Sequence, residues 1–336
     1  MTGTAEDAVV DACSHITLYA ADGHDREIPV EQIDVAKLAE SELLWVDLQG
    51  DDPALLDRIV ERLQLDAEIA AKLHKPSGQP LLENFGSGFL AQAVAVQHLD
   101  GVEFNGLVLT LLAGPNYVLS VHREPIEFLD RFRDRERAET DLGVLSAQSF
   151  VASLLDWQIS TYFDAVSKFE VAVDRLEISI LASRKHRDCL PKLVTLRRAA
   201  SHLRQMLSSH RQLFNALARP DFRPVREGSE TDACLLALDA RYERAVDTVE
   251  NARDLVVGSF ELYTSRTAQR TNDNVQMLTF VTILLGSLGV IASVLGMNFP
   301  QFSFFATGAH GFWVTIAGMT ALSLGMLILA RWRGWL

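Results

Sequence analysis

The feature that most constrains this chain is a run of 57 consecutive residues, Asn274 to Ala330, that contains no Asp, Glu, Lys or Arg. One α-helix of that length would be about 86 Å long, whereas the hydrocarbon of a bilayer is about 30 Å thick. The run is interrupted at Gly296-Met297-Asn298-Phe299-Pro300, where a flexible residue, a polar amide and a helix-stopping proline occur. We therefore predict two membrane spans, residues 274–298 and 312–330, joined by a loop over 299–311.

The residues before this run carry nearly all the charge of the chain, which has 44 acidic and 31 basic residues and a formal net charge of −13. Such a balance argues against nucleic acid as a partner and is compatible with cations, although it also serves solubility alone. Three widely separated cysteines without metal-ligand spacing predict reduced thiols in a cytosolic compartment. The first residues lack the basic and apolar regions of a signal peptide, so we expect the charged part to stay inside the cell.

The distribution of basic residues around the two spans predicts their orientation. Arg266 and Arg270 precede the first span, Arg331 and Arg333 follow the second, and the loop over 299–311 contains neither Lys nor Arg. By the positive-inside rule, both termini are cytoplasmic and the loop is external. We expect a multi-pass protein surrounded by lipid in the inner or plasma membrane, with a basic cytoplasmic tail at 331–336.

Residues 1–125 are predicted to form a cytoplasmic α/β domain. Short β-rich runs bounded by turn residues predict strands over 16–19, 43–48, 89–96, 107–112 and 117–121. Helical periodicity predicts helices over 55–63 and 67–73, the first of them capped by Asp51-Asp52-Pro53. Gly114-Pro115-Asn116 is typical of a turn between two paired strands.

Residues 126–228 are predicted to form an antiparallel helical hairpin, because long helical patterns over 146–183 and 188–218 flank a break near Arg184. The first of these helices is rich in acidic residues and the second in basic ones. We expect salt bridges between them; a basic patch for a lipid headgroup or an anionic regulator is the alternative.

Residues 229–273 are predicted to form a stalk helix that continues into the first span, since no proline or other strong stop lies between Ser229 and Leu295. Apolar residues follow one side of it at intervals of three, four or seven: Leu235, Leu238, Tyr242, Ala245, Val249, Ala252, Val256 and Tyr263. Such a seam either faces a core or joins copies of the helix. Because the helix continues into the membrane, we favour self-association.

Small and polar residues form a second stripe, on one face of the first span. They are Thr279, Thr282, Gly286, Gly289, Ser293 and Gly296, and the same spacing extends back to Val275 and Asn272. Such a stripe allows close helix packing, or it lines a narrow aqueous route between several copies of the helix. Asn298 favours the second interpretation, because an amide oxygen can hydrogen-bond the water shell that Mg²⁺ gives up reluctantly.

Gly296-Met297-Asn298, at the end of the first of two C-terminal spans, resembles the signature of the CorA family of magnesium and divalent-cation channels. Other segments fall where that family has similar residues: Leu44-Trp45-Val46-Asp47-Leu48, the stretch Leu107 to Pro125, Ala252-Arg253-Asp254-Leu255, Thr271-Asn272, Leu278-Thr279 and the closing Arg331 to Leu336. The likeness therefore covers most of the chain.

The resemblance implies a homopentamer with a funnel-shaped cytoplasmic domain, in which the stalk and first span line the pore. It implies that Asn298 is the ion filter, that Gly296 and Met297 shape its turn, that Asn272 forms an inner polar ring and that Leu278 is a constriction residue. Hydrated Mg²⁺, or another divalent cation, would be transported, and intracellular Mg²⁺ bound between subunits would close the channel. Four stalk carboxylates could contribute to such regulatory sites or could simply be solvated: Asp239, Asp247, Glu250 and Asp254.

The sequence also departs from the family's pattern. Leu295 stands where Tyr is usual, Val275 where Met is common, and Gly286-Ser287 where a bulky residue and Pro are common; the external loop has no acidic residue. A ZntB-like zinc transporter is therefore an alternative, although such proteins usually have Gly-Ile-Asn at the signature. A non-conducting, membrane-anchored cation sensor is another. No phosphate loop and no nucleophile-and-base arrangement is evident, so we expect no enzymatic activity.

Overall fold

The computed structural model describes residues 13–21, 25–39, 41–85, 88–99, 101–139, 145–182, 188–219, 229–297 and 309–333. The chain forms two compact units, Met1–Ser259 and Phe260–Leu336.

The first unit is built on a mixed sheet, with seven strands among the described residues. They are β1 (Cys13–Ala20), β2 (Arg26–Glu27), β3 (Glu42–Gln49), β4 (Leu81–Phe85), β5 (Gly88–His98), β6 (Phe104–Ala113) and β7 (Tyr117–His122). Their order is β2-β1-β3-β7-β6-β5-β4; β3 and β7 are parallel, and the other neighbouring pairs are antiparallel. All five predicted strands are present, and the predicted turn joins the paired strands β6 and β7.

Two short helices, α1 (Pro53–Arg62) and α2 (Ala67–His74), cover one face of the sheet, with 3₁₀ turns at Val30–Gln32 and Val35–Lys37. The helix α1 begins where predicted because Asp52 Oδ1 accepts hydrogen bonds from the backbone N–H groups of Ala54 (2.9 Å) and Leu55 (3.1 Å). Alternate residues of β3, among them Val46 and Leu48, are buried against this pair of helices.

Helices α3 (Glu127–Glu139) and α4 (Ala147–Ala182) lie on the opposite face, where they contact Trp45, an intervening residue of β3. The Trp45 ring lies 5.7 Å from the Phe132 ring and 5.2 Å from the Phe150 ring, both edge-on. The expected second helix of the hairpin is two helices, α5 (Cys189–Ser208) and α6 (Arg211–Leu217). The break falls at His210, whose side chain contacts the sheet instead of solvent.

The strand β4 pairs only with Gly88 to Gln92 of β5. Beyond these residues, side chains from the helices hydrogen-bond the backbone of β5. The Val94 N–H donates to His210 Nε2 at 2.8 Å, and the Val94 carbonyl accepts from Gln158 Nε2 at 2.6 Å and from Tyr162 Oη at 3.1 Å. Burial lowers the pKa of His210 to about 4, so the ring is a neutral acceptor. These buried bonds join the helices to the sheet edge.

The helix α7 (Ser229–Gly296) is a single unbroken helix of 68 residues, as the lack of stop signals predicts. Its apolar seam, however, is buried within the first unit from Leu235 to Val256. The Tyr242 ring stacks on Phe214 of α6 at 4.7 Å, and Ser259 Oγ donates to Glu177 of α4 at 2.6 Å. The preference for self-association along these residues is therefore wrong. Heptad spacing predicts that one side of a helix is buried, but it does not tell whether the same chain or a second copy buries that side.

The hairpin helices α4 and α5 pack through buried apolar residues, and no ion pair joins them in the part of the chain that the structure describes. The acidic residues of α4 instead pair with other helices. Asp156 Oδ1 lies 3.0 Å from Arg241 Nε of α7, and Asp164 Oδ2 lies 4.0 Å from Arg131 Nη1 of α3. The expected α4–α5 salt bridges are therefore not found among the described residues, which do not include the basic residues Arg184, Lys185 and Arg187.

The second unit contains the end of α7 and the helix α8 (Ala309–Trp332). Both are long and apolar enough to cross a membrane, within Ala233–Val294 and Trp313–Trp332 respectively. These two helices agree with the two spans predicted from the uncharged run. The loop between them lies largely outside the described residues.

Candidate functional site

One face of α7 in the second unit packs against α8. Ser287 Oγ lies 4.0 Å from Met326 Sδ, and Phe280 lines a cavity of about 130 Å³ with residues of α8. Leu284 and Ile291 are half-buried at the same helical spacing. This contact face therefore recurs every three to four residues, as expected for two packed helices.

The small-residue stripe does not belong to this contact face. At 3.6 residues per turn its residues lie mainly on the far side of α7 from Ser287. Its predicted members are all exposed, and so is the predicted constriction residue Leu278; the members are Asn272, Val275, Thr279, Thr282, Gly286, Gly289, Ser293 and Gly296. Leu278 is 68% exposed and Val275 55%. The contact with α8 therefore leaves the stripe open.

Two hydroxyl groups on the stripe are bonded within the helix. Thr279 Oγ1 donates to the Val275 carbonyl and Thr282 Oγ1 to the Leu278 carbonyl, each at 2.8 Å. Their oxygen lone pairs are still able to accept hydrogen bonds from water. The stripe thus offers neutral oxygens on a face without fixed charge.

The glycines of the stripe are not explained by contacts within the second unit. A Cβ atom added to Gly286, Gly289 or Gly296 would meet nothing within 4 Å among the described residues. Glycine costs about 1 kcal/mol relative to alanine in the interior of a helix. Small side chains at these positions would let a surface other than the described residues of this chain approach α7 closely.

The signature residues lie where α7 ends. Gly296 is its last residue, and Met297, which is 55% exposed, donates from its backbone N–H to the Val294 carbonyl at 3.3 Å. Asn298, the predicted filter residue, lies outside the described residues, as does the side chain of Leu295. The filter assignment therefore stays a prediction.

The four candidate regulatory carboxylates are spread along α7 in the first unit. Asp239 and Asp254 are 15 residues apart, about 22 Å along a helix. Glu250 Oε1 lies 3.5 Å from Arg204 Nε, and Asp247 and Asp254 are exposed. Among the described residues of one chain, no group of three or more His, Cys, Asp or Glu side chains could hold a metal ion.

A buried polar cluster between β3, β7 and α3 was not anticipated. His122 Nε2 lies 3.3 Å from Asp47 Oδ1, Arg133 Nη1 lies 3.8 Å from Asp47 Oδ2, and Ser120 Oγ donates to Asp47. Trp45 Nε1 donates to Ser120 Oγ at 3.0 Å. Burial lowers the pKa of His122, but the Asp47 carboxylate outweighs that effect and the pKa is raised. In the sequence, this cluster is indicated only by polar residues at alternate positions of two otherwise apolar strands.

Comparison with known proteins identifies sequence relatives. A model of the family described as CorA-like Mg²⁺ transporter protein matches residues 40–331. A cobalt/magnesium transport protein CorA of Thermotoga maritima is 27% identical over 208 residues, which span 60% of this chain and only 57% of that protein. A Bacillus subtilis protein named as a metal ion transporter is 23% identical over 316 residues, spanning 92% of this chain and 94% of that protein.

Solved structures show the same architecture. The complete CorA magnesium transporter from Methanocaldococcus jannaschii matches with a TM-score of 0.72 and 17% identity, over 96% of this chain and 98% of that chain. The ZntB cytoplasmic domain from Vibrio parahaemolyticus RIMD 2210633 matches with a TM-score of 0.56 and 12% identity, over 76% of this chain and 98% of that chain. At these identities the likeness concerns the fold, and it confirms the predicted class of an α/β unit, a long helix and a C-terminal helix.

Proposed function

Because the chain belongs to the CorA-like Mg²⁺ transporter family, we propose that it is a divalent-cation channel of the inner or plasma membrane, with Mg²⁺ as the transported ion. The observation that carries this proposal is the exposed small-residue stripe on α7, on the side of the helix away from α8. Five copies of α7 around one axis would place this stripe on a central aqueous route.

The proposed route carries hydrated ions. Neither the stripe nor the rest of the uncharged run contains a carboxylate, so nothing along it replaces the inner water shell of Mg²⁺ with charged ligands. Threonine and serine hydroxyls accept hydrogen bonds from the ion's waters, and a ring of Asn298 amides selects the hydrated ion at the outer end. Val275 and Leu278 form a narrow apolar section at the inner end, and Asn272 forms a polar ring below it.

The proposed regulation uses intracellular Mg²⁺ between subunits. The exposed carboxylates Asp247 and Asp254 lie on the part of α7 that belongs to the first unit, and Asp239 Oδ1 is buried without a hydrogen-bond partner among the described residues. Oxygen ligands of this kind suit Mg²⁺. Binding of Mg²⁺ by carboxylates from neighbouring copies would hold their α7 helices together and keep the route closed.

The test is ion flux into liposomes that contain the purified full-length protein. We expect Mg²⁺ entry that falls as internal Mg²⁺ rises, and loss of selective flux in Asn298→Ala with the pentamer still assembled. Asn251→Ala, which removes an exposed amide from the first unit, is the control and should conduct normally. If no Mg²⁺, Co²⁺ or Ni²⁺ enters, the protein is not a channel, and this is the result expected for a non-conducting sensor. Unchanged selectivity in Asn298→Ala would remove Asn298 from the filter.

Zinc transport, with coupling to protons as a variant of it, is the second candidate. It is favoured by the external loop, which lacks acidic residues, and by the likeness of the first unit to the ZntB cytoplasmic domain. The Gly296-Met297-Asn298 signature favours Mg²⁺ instead. Comparing Zn²⁺ and Mg²⁺ flux in the same liposomes with and without a pH gradient decides between them.

A further inference from the structure

The buried polar cluster of the first unit joins three of its elements. It consists of Asp47 of β3, Ser120 and His122 of β7, and Arg133 of α3. Asp47 is 1% exposed, Ser120 0% and His122 3%. A charge at such a depth is costly unless an opposite charge compensates it, so the contacts within the cluster decide which of its groups are ionised.

The hydrogen bonds of Ser120 fix the protonation state of Asp47 Oδ1. Ser120 Oγ accepts from Trp45 Nε1 at 3.0 Å and donates its own proton to Asp47 Oδ1. The Val46 carbonyl lies 3.5 Å from the same hydroxyl and is a much poorer acceptor. A hydroxyl group has a single proton to donate. Asp47 Oδ1 is therefore an acceptor that carries no proton itself.

Both ring nitrogens of His122 lie beside atoms that can only accept. Nδ1 lies 2.7 Å from the Glu124 carbonyl oxygen, and Nε2 lies 3.3 Å from Asp47 Oδ1. The second contact is an ion pair, and Nε2 has no hydrogen-bond partner among the described residues. A neutral ring with its proton on Nδ1 would turn the lone pair of Nε2 towards the carboxylate. A ring with protons on both nitrogens is attracted at both, so this geometry favours the imidazolium form.

The charges of the cluster balance when His122 is protonated. Arg133 Nη1 lies 3.8 Å from Asp47 Oδ2, and Nη2 of the same guanidinium pairs with Asp130. Two carboxylates then face two cations. Burial lowers the pKa of His122, but the Asp47 carboxylate and the Glu124 carbonyl outweigh burial and raise it, against the opposing charge of Arg133. A neutral His122 would leave Asp47 with one cation, which it shares with Asp130.

The other neighbours of His122 do not replace this charge. Its register partners on the adjacent strands, Gln49 of β3 and Leu109 of β6, are uncharged. Arg123 and Glu124 follow it in the chain and are exposed. No ion pair of the described residues joins α4 to the cluster. The attachment of α3 to this part of the sheet therefore depends on the proton of His122.

We propose that His122 is a pH-sensitive clamp, which holds α3 against β3 and β7 when protonated and loosens α3 when it loses its proton at alkaline pH. Because the pKa of His122 is raised in the folded chain, its contribution is full below about pH 6.5 and is lost as the pH rises through the folded value. Histidine is the side chain best suited to such a response. Loosening would reach α4 through α3, whose Arg131 Nη1 lies 4.0 Å from Asp164 Oδ2.

The test is hydrogen–deuterium exchange of the full-length protein in detergent at pH 6.0 and 9.0, with labelling times scaled to the intrinsic exchange rate. In the wild type, amides of α3 should open at least about threefold more often at pH 9.0, whereas amides of α5 should not change. In His122→Asn, which has no titrating ring, the protection of α3 should be the same at both pH values. Asp47→Asn removes the opposite charge and should also abolish the pH dependence.

His74→Asn is the matched control. His74 Nε2 also faces a carboxylate, at 2.9 Å from Asp57 Oδ1, but its side chain is 30% exposed and belongs to α2. This variant should keep the pH dependence of the wild type. Equal protection of α3 at both pH values in the wild type would overturn the proposal even if His122→Asn did not fold. Equal loss of the pH dependence in His74→Asn and His122→Asn would also overturn it. Neither measurement depends on ion transport.

Discussion

The two units of the molecule differ in the hydrogen-bond partners of their polar side chains. In the first unit, buried polar groups such as His210, Gln158 and Tyr162 reach across sequence to satisfy a sheet edge. In the second, Thr279 and Thr282 bond only one turn back along their own helix and are exposed. The first pattern specifies one packed arrangement within a chain, because an unpaired buried group would be costly. The second fixes nothing within the chain and leaves a polar face available.

The same contrast appears in the glycines. A Cβ atom on Gly106 of β6 would lie 2.7 Å from Val94 Cγ1 and 3.0 Å from Met206 Sδ, so packing within the first unit requires glycine there. A Cβ atom on Gly289 would meet nothing within 4 Å. Packing within the chain thus explains Gly106, whereas it does not explain Gly289 on the α7 stripe.

The largest expected effect comes from filling the stripe. Gly289→Leu should reduce Mg²⁺ flux in liposomes at least about tenfold, because five leucine side chains would narrow the proposed route. Gly325→Leu on α8 is the matched control, since a Cβ atom there also meets nothing within 4 Å. It should conduct normally. Equal flux in the two variants would mean that the stripe does not line the pathway.

The next effect concerns the satisfied sheet edge. His210→Ala should lower the free energy of unfolding of the first unit by about 2 to 3 kcal/mol, because it leaves the buried Val94 N–H unpaired and opens a small cavity. Urea unfolding of the full-length protein in detergent, followed by tryptophan fluorescence, measures the change. The exposed His202 is the control, and His202→Ala should stay within about 0.5 kcal/mol of the wild type. Equal stability of both variants would contradict the structural role of His210.

The pH dependence of stability tests the same contact. The pKa of His210 is about 4 in the folded chain and about 6.5 when unfolded, so the unfolded state binds a proton first as pH falls. The stability that neutral His210 contributes is therefore full above pH 6.5 and decreases towards pH 4, by about 2 to 3 kcal/mol at pH 4.5. His122, whose pKa is raised, acts in the opposite direction and contributes most at low pH.

Urea unfolding of the wild type and of His210→Gln at pH 7.0 and 4.5 isolates this contribution. The wild type should lose more stability between these pH values than the variant does. If the two lose the same amount, His210 is not buried as a neutral acceptor. Repeating the comparison with His122→Asn removes the opposing group and should increase the loss seen in the presence of His210.

The sequence predicted the parts of the fold that depend on local pattern. The strand over 43–48 and the capped helix after Asp52 are correct, because alternation and capping residues act over a few positions. The partner of the α7 seam and the helix break at His210 were not predicted, since both depend on residues distant in the sequence: Ser259 of α7 bonds Glu177, and His210 accepts from Val94. The stripe was legible from spacing alone, but the side of α7 that contacts α8 was not.

The smallest expected effect concerns the stalk carboxylates, which lie in the first unit and are proposed to regulate the flux through the second. Asp254 is exposed and its Oδ1 lies 3.5 Å from Arg253 Nη1, a pair of the kind that contributes little to stability in water. Asp254→Asn should therefore leave the free energy of unfolding unchanged within about 0.5 kcal/mol.

If Asp254 binds regulatory Mg²⁺ between copies, the internal Mg²⁺ concentration that halves flux should rise several-fold in Asp254→Asn, because one charged ligand is lost. Glu243→Gln, a change of the same kind at another exposed position on α7, should leave that concentration unchanged. A shift of equal size in both variants would indicate a general effect of charge on the attraction of cations, and an unchanged value in Asp254→Asn would exclude Asp254 from the regulatory site.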